Sequence, residues 1–203
     1  MGKSHDLATL SDDGISNLKV DTIKSTGGTT AMTVDSSGRV LRSVLPAWRV
    51  ALTTTQNETT VAIHKVTFDT TSGNNCFLQG GVTHNNGTIT VPVAGLYQIN
   101  AQLRIDDVSS SYYIVMRIAK NQDTSSINSS YVIVDDHGTN YHTLVSNDLY
   151  QCAANDELEV NVYAQSDTNW NIMGGYCLFS GYLVGSSEPI NAILSFFISS
   201  FLL

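Results

Sequence analysis

The sequence predicts an all-β fold: a sandwich or barrel of about eight to ten short strands, with a polar strip ahead of it and an apolar tail behind it. Three observations lead there. Apolar and polar residues alternate through residues 46–185, turn residues interrupt the runs, and no window of that stretch carries a helical period. The composition agrees. Ser, Thr and Asn supply 60 of the 203 residues, and only 14% are charged, against about 25% in an ordinary soluble protein.

Residues 1–45 are the strip. Asp12-Asp13-Gly14, Thr26-Gly27-Gly28 and Ser36-Ser37-Gly38 mark turns, and short apolar pieces (Leu18 and Val20, Ile23, Met32 and Val34, Val40 and Leu41) lie between them. None is long enough to build a core, so the strip is expected to pack on a partner chain or on copies of itself. Residues 46–185 carry the strands. Trp48, Val50 and Leu52 form the first run, and Val61, Ile63, Lys65, Val66 and Phe68 the second. Ile89, Val91 and Val93 form the third, next to the Pro92–Gly95 turn. Tyr97, Ile99, Ala101, Leu103 and Ile105 give the longest period-two run. Further strands are expected at 112–118, 131–134, 143–150, 158–163 and 176–184. Residues 186–203 differ. Ile190, Leu194, Phe197 and Phe201 are spaced 4, 3 and 4, with Asn191, Ser195 and Ser199 largely opposite. That spacing predicts an amphipathic helix, too short and too rich in Ser to span a bilayer, which needs about 20 apolar residues. Its stripe must be covered, by copies of itself around an axis, by the chain's own N-terminal zone or by another protein.

Charge and cysteines exclude several classes. Ten Lys+Arg against 18 Asp+Glu give a net −8, too few cations to neutralise a nucleic-acid backbone. A disordered acidic chain would not be 42% hydrophobic. Cys76, Cys152 and Cys177 are an odd count with no short spacing, so free buried thiols are expected. The N-terminus MGKSHDLATLSDDG has no apolar h-region, which reads as no secretory signal.

Four stretches carry a family resemblance. They are Val66-Thr67-Phe68-Asp69; the block from Gly87 to Tyr97 with Pro92 and Gly95 inside it; the run from Leu149 to Val160 through Asn155-Asp156-Glu157; and Phe179-Ser180-Gly181-Tyr182-Leu183. In this order they resemble the complement component 1q-like globular head, a jelly roll of the tumour-necrosis-factor superfamily. The resemblance implies a jelly-roll β-sandwich in a homotrimer. Ile89 stands where that family usually has Phe, and no collagen-like repeat precedes the head. A second resemblance lies at Asn17–Lys24 and Met32–Val40, similar to bacteriophage fibre and appendage segments that precede a globular head.

Those resemblances set the functional expectation: a non-enzymatic bacteriophage virion structural protein. It would be a trimeric capsid decoration or short fibre, found in the virion after assembly in a host cytoplasm and aiding attachment to the host surface, with a host surface glycan as the partner there. Residues 1–45, together with 190–203, would bind other virion proteins. A tail fibre or receptor-binding protein, or a free lectin-like trimer, is the alternative. The trimer interface is expected at Tyr97, Tyr182, Ile190, Leu194, Phe197 and Phe201, because tyrosine buries its ring and keeps its hydroxyl bonded. Trp170 with Asn169 and Asn171 is the candidate glycan contact: an aromatic face among uncharged donors. The pairs Asp106-Asp107 and Asp135-Asp136 offer hard oxygens that would suit calcium, although such pairs are ordinarily solvated turn residues. No other cofactor is expected. No nucleophile elbow or His-Glu-x-x-His motif occurs, and His137 and His142 flank a loop.

Overall fold

The computed structural model describes residues 22–24, 30–41, 45–108, 113–123, 130–135, 141–165 and 168–186. Among these it forms sixteen strands and no helix. In chain order, β1 is Thr22–Lys24, β2 Thr30–Val34, β3 Val40–Leu41, β4 Ala47–Leu52 and β5 Gln56–Glu58. Then come β6 His64–Lys65, β7 Phe77–Gln79, β8 Thr83–Asn85, β9 Thr88–Thr90 and the long β10 Gly95–Asp106. The last six are β11 Tyr113–Lys120, β12 Ser130–Asp135, β13 Tyr141–Cys152, β14 Glu157–Ala164, β15 Trp170–Ile172 and β16 Cys177–Ser186.

The chain divides into two compact units, Met1–Val44 and Leu45–Leu203. In the first, β1, β2 and β3 make a small antiparallel sheet. The β2–β3 turn is tied by Asp35, whose Oδ1 accepts the N–H of Ser37 and of Arg39, both at 2.9 Å, while Arg39 Nε donates to Oδ2 at 2.7 Å. No described side chain of this unit is buried, and Ile23, Val34 and Val40 face solvent.

The second unit is a sandwich of two sheets. One runs β5-β15-β10-β16-β4-β7 with β13 on the other edge of β10; the other runs β12-β11-β14-β9-β8 with β6 added to β14. All pairings are antiparallel. Alternation puts Ile99, Ala101, Leu103 and Ile105 of β10 opposite Ile114, Met116 and Ile118 of β11 and Val160 and Val162 of β14, all in one apolar core. Trp48, Phe68, Tyr97 and Phe179 fill one region of it, with Trp48 and Phe179 edge-to-face at 5.7 Å and Phe68 stacked on Phe179 at 5.7 Å.

Two details depart from the sequence reading. Val61 and Ile63 are exposed loop residues outside any strand, because β5 and β6 are short and join different sheets. Val93 is likewise exposed beyond the end of β9. The amphipathic tail, with Ile190, Leu194, Phe197 and Phe201, lies outside the described residues.

Candidate interaction face

Period-two geometry gives the β13-β10-β16-β4 sheet a second face, pointing away from the core. Its outward residues are set by register. One row runs Leu149, Gln98, Tyr182, Ala47; the next Asn147, Asn100, Ser180, Arg49; the third Val145, Gln102, Leu178, Ala51. Tyr141, Val145, Leu149, Tyr176, Tyr182 and Val184 are each between 51% and 55% exposed. Outward charges on these four strands are Arg49, Arg104 and Asp106. Arg49 Nη1 donates to the Asn74 carbonyl at 3.1 Å. Arg104 lies between two rings, its guanidinium carbon 4.0 Å from the centre of Tyr141 and 4.4 Å from that of Tyr176. A shallow depression of about 370 Å³ beside it is lined by Arg49, Ala51, Gln102, Tyr176, Cys177 and Leu178.

Tyr182 stands on this face as expected of a contact residue. Tyr97 does not. It is 0% exposed, its ring packs 6.2 Å from Trp48, and its hydroxyl donates to the Val93 carbonyl at 2.9 Å. Burial pushes that hydroxyl up to about 12. Its odd position on β10 points it inward, so it is a core residue rather than an interface residue. Tyr141 and Tyr176, two of the tyrosines whose chemistry suits an interface, stand on the same face; Val145 and Leu149 were missed, and their signal was the alternation of β13 itself.

Trp170 is also corrected. It is 1% exposed and meets the His64 ring edge-on at 5.5 Å, because β15 is clamped between β5 and β10. A buried ring offers a sugar no stacking face. Asn169 is exposed, and Asn171 Nδ2 donates to Asp107 Oδ2 at 2.6 Å. Asp106 Oδ1 accepts the Asp107 N–H at 2.8 Å. Among the described residues no three His, Cys, Asp or Glu side chains converge as metal ligands. Asp136 and His137 lie outside the described residues; His142 is buried.

A cleft of about 620 Å³ is lined by Leu52, Thr54, Gln56, Thr67, Asp69 and His84, among others. Its polar groups serve the fold. Gln56 donates to Glu58 and to the Lys65 carbonyl and accepts from Thr67. Burial pulls His84 below its ordinary value, and His84 Nε2 accepts the Gly87 N–H at 3.0 Å. Cys76, Cys152 and Cys177 are buried free thiols. No helix among the described residues is long and apolar enough to cross a membrane.

No curated protein matches this chain. Among solved structures, that of murine APRIL at pH 5.0 superposes with a TM-score of 0.52 over 69% of this chain and 99% of that one, at 10% identity. That likeness is one of fold, and it agrees with the two-sheet jelly roll traced above. The profile of the TNF (Tumour Necrosis Factor) family matches residues 70–184, more than half of the sequence and nearly the whole sandwich from β7 into β16. By that match the chain belongs to the TNF family.

Proposed function

We propose that this chain is a non-enzymatic homotrimer that displays its jelly-roll head from a larger particle, as a bacteriophage virion protein of the capsid-decoration or short-fibre kind. The observation that carries the trimer is the outer face of the β13-β10-β16-β4 sheet. Six half-exposed aromatic and aliphatic residues share a surface with few charges. They stand on either side of the polar row Asn147, Asn100, Ser180 and Arg49, and exposed aromatic residues on a sparsely charged face suit a site that another surface covers. TNF-fold proteins form homotrimers and bind receptors, which supports the same symmetry here. The virion role draws its support from residues 1–44, a separate unit in which none of the described side chains is buried. Such a strip suits a shaft or anchor wrapped with other chains. The resemblance at Asn17–Lys24 and Met32–Val40 points the same way.

A second reading keeps the trimer and changes its setting: a tail-fibre or free receptor-binding ligand. Membership of the TNF family favours it.

Light scattering on the purified chain tests the first step. The expected mass is three times 22.0 kDa; a monomer at all concentrations would overturn the trimer. Mass spectrometry of purified particles tests the second step. Absence of the polypeptide from virions would sink the structural role and leave the free ligand.

A further inference from the structure

Resting on the trimer reading, we propose that Arg104 is a preformed receptor for a carboxylate of a neighbouring copy. Its guanidinium is fixed but unfinished. Its guanidinium carbon lies 4.0 Å from the centre of the Tyr141 ring and 4.4 Å from that of Tyr176. A guanidinium carries five N–H donors in a planar fork, and in this chain none of them reaches a hydrogen-bond acceptor or an ion-pair partner among the described residues. Only the backbone of Arg104 is engaged: its N–H meets the Cys177 sulfur at 3.4 Å, and its carbonyl accepts from the Met173 N–H at 2.9 Å. Asp106, two residues along on the same face, does not pair with it and instead accepts the Asp107 N–H.

Covering this face strips water from the guanidinium, and a buried cation without an acceptor is costly. A carboxylate fits the fork in bidentate fashion and pays that cost back through two charge-assisted hydrogen bonds. Among the described residues the chain places no acceptor there, so the proposed one comes from outside it. A second copy is the occupant that charge favours. Each copy carries 18 Asp+Glu against 10 Lys+Arg, so a neighbouring copy has carboxylates in surplus to offer.

The test follows trimer dissociation on dilution for the wild type, R104Q and R104K, at about 0.05 M and about 0.5 M salt, which span long and short screening lengths. The wild type is expected to loosen severalfold as salt rises. R104Q is expected to dissociate at about tenfold higher concentration at low salt, the scale of one lost charged contact, with its salt dependence flattened. R104K keeps a charge without the fork and is expected to lie between them. R104Q with the wild-type constant and the wild-type salt slope would overturn the proposal. So would R104Q weakened but retaining the full slope, since stacking on the tyrosines alone would then explain it. If R104Q proves unfolded by circular dichroism, R104K decides: indistinguishable from wild type, it overturns the proposal. A wild-type chain that is monomeric throughout brings down the trimer itself, a result separate from either of these.

Discussion

At Gly181 the β16 backbone passes so close to Trp48 that a Cβ would overlap Cζ2 and Cη2 of the ring. Trp48 is buried against Tyr97 and Phe179 and has nowhere to retreat. Gly181→Ala is expected to cost about 1–3 kcal/mol as an overpacked core, read as a lower urea midpoint at unchanged slope. Asp69 works through polar contacts. Burial opposes its charge, but the N–H and hydroxyl of Thr53 and the N–H of Thr54 outweigh it and hold the carboxyl down at about 2, below its ordinary 3.8. A depressed folded value means stability that is fully present above about pH 4 and is lost as pH falls through about 2. Asp156, lowered in the same direction despite its own burial by Asn121, the Ala153 N–H and Lys120, adds in the same sense. Asp69 is exposed, so its share is discounted for solvent screening to about 1 kcal/mol. Asp69→Asn should lower the urea midpoint at pH 7 and flatten its decline between pH 4 and 2; an unchanged acid profile would refute the assignment.

Elements show where the sequence was readable. The four stretches that carried the family resemblance all turn out to have structural duties. Asp69 ties the chain that follows β4. Tyr97 closes the Pro92–Gly95 turn through Val93, and a Cβ at Gly95 would strike Leu183 and Gly185. Asp156 caps the turn into β14 by accepting the Ala153 N–H at 2.8 Å. Gly181 makes room for Trp48. Strand runs such as Tyr97–Ile105 were legible because their alternation is local. The burial of Trp170 was not. β15 is three residues long in an Asn-rich stretch, and it is covered only because β5, more than a hundred residues earlier, pairs with it. For the same reason period two placed Tyr97 and Tyr182 on strands without saying which face would be the covered one. The β1–β3 sheet makes the complementary point. With none of its described side chains buried, it has little to offset the entropy of its own ordering. A peptide of residues 1–44 is expected to be unfolded alone, whereas residues 45–186 fold; circular dichroism and amide dispersion distinguish the two. A folded isolated 1–44 would remove the need for covering chains.

On the scale of the whole molecule, the sandwich separates its duties by face. One pair of faces makes the core, and the outer face of the β13-β10-β16-β4 sheet holds aromatic surface with a clamped arginine. The short outward charge list there contrasts with a net −8 for the chain, which keeps the remainder of the surface mutually repulsive and channels association to one place.

The three cysteines have a different consequence. Burial pushes the thiols of Cys152 and Cys177 up to about 11, so at neutral pH they hold almost no thiolate, the form that oxidants and disulfides attack. All three cysteines are buried and unbridged. The head thus has no cross-link for a reductant to open. It also presents little for an oxidant to take at those two sulfurs. Its fold thus rests on no disulfide, and a reductant is expected to leave the urea midpoint of the head unchanged.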